Sequence, residues 1–128
     1  MISISYSCHF DAAHQLELPY ESPCNRRHGH RYAVVIKASA SVLEHGMVVD
    51  YNVLKRVVDE FDHCDLNERP EFKDSGMQTT AENICLVMSR MLQAAVGPRV
   101  SIDEVIVRET PRAAARWRRD GTNEPGSG

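Results

Sequence analysis

Long apolar runs are missing from this sequence, and so is a basic segment followed by an apolar one near its start. No run approaches the roughly 18–20 apolar residues that a membrane-spanning helix needs, and the opening Met-Ile-Ser-Ile-Ser-Tyr-Ser has neither part of a secretory signal. A cytoplasmic protein with no membrane partner is the expectation. Charge of one sign is also scarce. Fifteen Lys and Arg against 18 Asp and Glu leave a net charge of −3, which argues against a dedicated nucleic-acid binder. Cysteines number only four, Cys8, Cys24, Cys64 and Cys85, and without a signal they do not suggest a disulfide framework. With 128 residues, 42% of them hydrophobic, the chain has one domain's worth of ordinary globular composition and needs no staples.

Histidine is what stands out. His9, His14, His28 and His30 crowd the first 30 residues, and His63 stands apart. The pattern around them is β-like. Ile2, Ile4, Tyr6, Cys8 and Phe10 alternate with Ser3, Ser5, Ser7 and His9, which predicts a half-buried strand over residues 2–10. Residues 16–28, with Pro19, Pro23 and Asn25, read as a loop. A second strand is expected from Gly29 to about Val42. Asp50 is a good N-cap for a helix carrying Val53, Leu54, Val57, Val58 and Phe61 at helical spacing.

A polar loop from Cys64 to Gln78 follows, then a helix from about Thr79 that Gly97-Pro98 stops. Residues 100–108 and 112–118 predict two more strands, and 120–128 read as a disordered tail. The order ββααββ gives an α+β domain over residues 1–119, a four-stranded antiparallel sheet with two helices on one face. Such a sheet exposes two edges, which oligomerisation would cover.

His28-Gly29-His30 is the sharpest chemical signal, because residues i and i+2 of a strand point the same way. Gly29 between them removes bulk and lets the chain bend at the strand entry. His14, just past the first strand, can reach the same point if the two strands are neighbours. Three neutral imidazoles with an open fourth position are the donor set of a catalytic zinc site. An isolated His-x-His is more often two polar residues at a strand start; the third histidine changes that balance. Cys24 as a fourth ligand would close the site and make it structural, whereas a free Cys24 would be a nucleophile or base, and spacing does not choose between them. Asp62 beside His63 has the form of a carboxylate orienting a general acid–base histidine, although a histidine at a helix C-terminus is favourable without any such role. Glu82 fits a capping box begun by Thr79, and Glu109 could be a solvated strand end or an acceptor for paired N–H groups.

Taken in register, Phe10-Asp11-Ala12-Ala13-His14, Cys24-x-x-x-His28-Gly29-His30, Gly46-Met47-Val48-Val49-Asp50-Tyr51, Asp62-His63-x-Asp65-Leu66-Asn67, Thr80-Ala81-Glu82-Asn83 and Glu109-Thr110 resemble the 6-pyruvoyl-tetrahydropterin synthase family. Within it the chain is most similar to the bacterial 6-carboxy-tetrahydropterin synthases. Three residues between Cys24 and His28, Ala13 before His14 and Ala81 before Glu82 carry the bacterial likeness. The resemblance implies the tunnelling fold, subunit sheets joined into a barrel, a homo-oligomer such as a hexamer, and active sites between subunits. It implies one zinc per subunit on His14, His28 and His30, with Cys24 as catalytic base and Asp62 and His63 assisting proton transfer. Glu109 would anchor the pterin ring, helped by Glu82 and the backbone around Thr80.

The implied substrate is 7,8-dihydroneopterin triphosphate. The implied product is 6-carboxy-5,6,7,8-tetrahydropterin, with release of acetaldehyde and triphosphate, on the route to 7-deazaguanines and queuosine. Competing readings are the pyruvoyl-forming reaction, a structural zinc protein closed by Cys24, and a binding homologue without turnover. The basic segment from Arg112 to Arg119 departs from the family pattern and puts subunit packing near the last strand in question.

Overall fold

The computed structural model describes residues 1–120. Among them the chain forms β1 (Ile2–His14), β2 (His28–Ala40), α1 (Tyr51–Asp59), β3 (Cys64–Asp65), α2 (Pro70–Lys73), α3 (Ala81–Val96), β4 (Ser101–Thr110) and β5 (Ala113–Arg118). The strands make one sheet in the order β3-β1-β2-β4-β5. Neighbours are antiparallel except β3, which runs parallel to β1.

The α+β class and the order of the main elements agree with the sequence pattern; the counts need correction. The sheet has five strands rather than four and is mixed rather than antiparallel, because residues 64–65 add a short parallel strand. The polar loop between the main helices also holds the four-residue α2, started by Pro70 and anchored by buried Phe72. β1 runs four residues beyond Phe10, so His14 is part of the strand rather than beyond its end. β2 begins at His28 and stops at Ala40. Helix α1 ends at Asp59, and Phe61 is buried in the turn that follows. Of the tail expected to be disordered, Asp120 forms a turn and residues 121–128 lie outside the described residues.

Each element has a local cause. Asp50 accepts the Asn52 N–H at 2.9 Å and starts α1. Thr80 accepts the Asn83 N–H at 3.2 Å and starts α3, which ends at Gly97, a residue with φ +77°. Apolar faces of α1 and α3 cover the side of the sheet carrying Phe10, Tyr32, Val34, Ile36, Val105 and Val107. Phe10 and Tyr32 are opposite one another in the β1–β2 register and stack at 4.7 Å, an arrangement that adds about 0.5–1.5 kcal/mol to the area they bury.

A bulge shapes β4. Lys37 pairs with Glu104 and Ala38 with Ile102, so Asp103 is an extra residue. Upstream of it Ile102 faces the core; downstream Val105 and Val107 do, and Glu109 continues on their side. Glu104 faces the uncovered side, where it is 7% exposed. Arg116 and Arg118 lie 3.2 Å from its two carboxylate oxygens, and Lys37 lies 3.8 Å away. Part of the basic 112–119 segment therefore pairs with one buried acid. No helix of the described residues is long and apolar enough to cross a membrane.

Candidate active site

Register brings the histidines together. β1 and β2 pair so that His14 faces His28 and Ala12 faces His30. All four side chains share the face of Phe10 and Tyr32, and His14 is 1% exposed. From β4, Glu109 reaches the same place. One ligand atom from each of His14, His28, His30 and Glu109 falls in a group whose members all lie within 4.8 Å of one another.

Two of these imidazoles have their protons assigned by the backbone. His14 Nδ1 lies 2.7 Å from the Thr79 carbonyl, and His28 Nδ1 lies 2.7 Å from the Arg26 carbonyl. A carbonyl only accepts, so each Nδ1 carries the hydrogen and each neutral ring turns a bare Nε2 toward the other. Those two Nε2 atoms are 3.0 Å apart. Two lone pairs at that distance repel unless a cation lies between them. Burial, the largest influence on His14, pushes its pKa below the ordinary value and so keeps the ring neutral, the form a metal needs. His30 Nε2 is buried and makes no hydrogen bond, although Glu109 Oε1 lies 3.1 Å away. The donor set fits a zinc ion.

Cys24 does not join this group. It sits in a 3₁₀ turn over Pro23–Asn25, and its carbonyl accepts the Leu16 N–H at 2.8 Å. The turn ends at Arg26, whose carbonyl orients His28, so Cys24 is two residues from that carbonyl in the chain and outside the ligand group. The other cysteines are held as thiols by burial, Cys8 and Cys85 pushed up to about 11 and Cys64 raised.

Asp62 and His63 are held along β1 by the backbone of Asp11. Asp62 Oδ1 accepts the Asp11 N–H at 2.8 Å, and Asp62 Oδ2 is 3.4 Å from His63 Nε2. His63 donates its own N–H to the Asp11 carbonyl at 2.6 Å and adopts φ +54°, a left-handed conformation that costs a non-glycine residue on the order of 1–3 kcal/mol. Its side chain is 80% exposed and lines a groove with Asp11, Ala13, Gly29, Arg31 and, from the histidine cluster, His30. A Cβ on Gly29 would come 3.6 Å from the Ala12 carbonyl, an ordinary contact, so nothing within the chain requires glycine there sterically.

Thr80 is the N-cap of α3. That puts Asn83 rather than Glu82 in the capping-box position, and Glu82 is an exposed residue of the first turn. The sequence pattern missed the buried Thr79, whose carbonyl holds His14, and a clamp beside it. Asn67 Oδ1 accepts the Gln15 N–H and Asn67 Nδ2 donates to the Gln15 carbonyl, both at 2.8 Å. The Thr79 hydroxyl lies 3.4 Å from Asn67 Oδ1. An amide that pairs with a neighbouring backbone like a strand has no periodic signature, and neither has a carbonyl ligand to an imidazole.

The family profile described as 6-pyruvoyl tetrahydropterin synthase matches residues 3–120. The chain belongs to the 6-pyruvoyl tetrahydropterin synthase family. It is therefore an enzyme-family chain, and the family resemblance in the sequence motifs holds across nearly its whole length. A Synechocystis protein named 6-carboxy-5,6,7,8-tetrahydropterin synthase is 34% identical over 119 residues, which cover 84% of this chain and 86% of that one. A Pyrococcus horikoshii protein with the same name, provisionally assigned, is 31% identical over 114 residues. That match covers 89% of this chain, which spans about two thirds (66%) of the relative's length. Among solved structures, Caenorhabditis elegans 6-pyruvoyl tetrahydropterin synthase superposes with a TM-score of 0.76 at 27% identity, covering 93% of this chain and 96% of that one. The fold expected from the motifs is thus the fold found.

Proposed function

We propose that the protein converts 7,8-dihydroneopterin triphosphate to 6-carboxy-5,6,7,8-tetrahydropterin with release of acetaldehyde and triphosphate, using one zinc ion held by His14, His28 and His30, in the formation of 7-deazaguanines such as queuosine. The observation that carries this reading is the pair of bare Nε2 atoms of His14 and His28, 3.0 Å apart with both Nδ1 protons committed to carbonyls. When bound there, zinc supplies Lewis acidity toward the hydroxyls of the substrate side chain.

The chain's own groups do the rest. Cys24, as thiolate, takes the carbon-bound proton of the side chain. His63, oriented by Asp62, returns protons. Glu109 accepts the paired N–H groups of the pterin's guanidine-like edge, with Glu82 and the backbone at Thr80 beside it. Buried Thr79 excludes water from the back of the site.

His63 lies outside the metal-ligand group of its own chain, although it shares a groove with His30; by family likeness we take the protein as a homo-oligomer, a hexamer, with sites between subunits. The sheet edges support it too. β3 pairs only with Ala12 and Ala13, so residues 2–10 of β1 present an open edge, as does β5 at the far side. Sedimentation at assay concentration should show an oligomer, and a fully active monomer refutes that part.

The pyruvoyl-forming reaction is the second reading, favoured by the C. elegans likeness. Incubating zinc-loaded protein with dihydroneopterin triphosphate and weighing the products by mass spectrometry decides between them. Acetaldehyde with the carboxy product supports the first, 6-pyruvoyl-tetrahydropterin the second, and unchanged substrate defeats both.

A further inference from the structure

Glu109 lies against the histidines. Its Oε1 is 3.1 Å from His30 Nε2 and 4.0 Å from His14 Nε2, while His14 and His28 are 3.0 Å apart. With metal–ligand bonds near 2.0–2.2 Å, the edges of a tetrahedral site are roughly 3.3 Å. These separations bracket that length, so Glu109 Oε1 stands at the fourth corner. The contact with His30 is not a hydrogen bond in disguise, because His30 Nε2 has no hydrogen-bond partner of acceptable geometry even at this distance. A shared cation accounts for an oxygen lying close to a ring nitrogen but off its hydrogen-bonding line.

The four corners differ in how firmly they are held. His14 and His28 are tied through Nδ1 to backbone carbonyls. Glu109 sits on three rotatable bonds next to the last residue of β4, and its side chain is 26% exposed where that of His14 is 1%. Among the described residues, the two histidines His14 and His30 are the only titratable groups within ion-pair distance of it. It is the corner that can leave.

We propose that Glu109 alternates between two positions. Without a ligand it closes the metal's coordination. When a pterin enters, the paired N–H groups of its guanidine-like edge draw the carboxylate away, and the vacated corner becomes available to the hydroxyls of the same molecule. Metal access is thereby gated by the ring edge, so a polyol without that edge meets a closed site. This inference rests on the three-histidine zinc reading above and goes beyond it only in what Glu109 does.

Cobalt(II) in place of zinc makes the coordination visible in its absorption bands, and a chelator competition gives the zinc affinity. The parent, Glu109→Gln, Glu109→Asp and His28→Ala proteins would be compared, each checked for a native far-ultraviolet spectrum. Neopterin serves as the ring-bearing probe and glycerol as the polyol without a ring.

The expected result is a changed ligand-free cobalt spectrum in both Glu109 variants, and zinc binding weakened about 10-fold or more, by analogy with the roughly 10–100-fold losses seen when metal-site supports are removed. Neopterin should change the parent spectrum and glycerol should leave it unaltered. Ligand-free spectra and zinc affinities equal to the parent's in both variants overturn the inference. Parent-like behaviour of Glu109→Asp alone does so too, since a shortened side chain keeps the charge but loses the reach. If the variants differ from the parent yet neopterin leaves the parent spectrum unmoved, Glu109 is a fixed ligand and the exchange is refuted. His28→Ala separates this from the underlying reading: metal binding undiminished in that variant defeats the three-histidine site itself.

Discussion

His14 and His28 face each other across the β1–β2 ladder with their Nε2 atoms 3.0 Å apart and both Nδ1 protons already given to carbonyls. Neither ring can donate to the other while both are neutral, so the pair is unfavourable without a positive charge between the nitrogens. Replacing either ring with alanine should therefore remove the metal. Elemental analysis should find about one zinc per chain in the parent and background in His14→Ala or His28→Ala. The loss in affinity should be at least the roughly 10–100-fold that outer-shell changes cost. Zinc content equal to the parent's would defeat the assignment.

Cys24→Ala should separate catalysis from metal binding, since Cys24 is not among the clustered ligand groups. Turnover should fall about 10²–10⁴-fold, the usual contribution of a general base. Zinc content and melting temperature should stay near the parent's. A variant that loses zinc along with its fold would point to a closed structural site.

Acid should destabilise the protein through His14. Its native pKa lies below the ordinary value near 6.5, chiefly because the ring is buried. Between those two values the unfolded chain binds a proton that the folded chain refuses, so stability falls as pH falls through this window. One such group contributes at most about 1.4 kcal/mol per pH unit. Zinc shifts the balance in the same direction, because only the neutral ring binds it. Melting temperatures of zinc-free and zinc-loaded protein, measured from neutral pH downward, should both decline below about pH 6.5. The zinc-loaded protein should also release its metal in this range. A flat profile would contradict the burial argument.

Asn67→Ala should act at a distance from the metal. The amide makes two 2.8 Å bonds to the backbone of Gln15, the residue after His14. Its loss leaves the partly buried Gln15 N–H unpaired and its carbonyl with only the Thr79 hydroxyl at 3.4 Å, at a cost of about 1–3 kcal/mol. Denaturant unfolding would measure that cost, and chelator competition should show weaker zinc binding. Unaltered zinc affinity in a destabilised variant would confine the clamp to the fold.

Some of this arrangement could be read from the residues alone, and the reasons for the remainder are physical. Alternation marks β1 and β2 because one face is buried, and period-of-two geometry puts His28 and His30 on the same side. The step from Ile102 to Val105 breaks the alternation of β4, and that break is the bulge at Asp103. How Glu109 emerges depends on that extra residue and on the register shift against β5 between Arg108 and Thr110, where Glu109 is itself unpaired with β5, and no local motif reveals the second. β3 is two residues long, too short to have a period. Its position follows from Asp62 and His63 pairing with the backbone of Asp11, a contact made between segments 51 residues apart.

The atoms that fix the two imidazole tautomers belong to the main chain at Arg26 and Thr79, and every amino acid has a carbonyl. Mutational drift at either position can change charge and bulk without withdrawing the acceptor. What the metal site is sensitive to is the path of the backbone, the extended φ −100° and ψ 146° that Arg26 adopts at the end of the 3₁₀ turn, and not the identity of its exposed side chain.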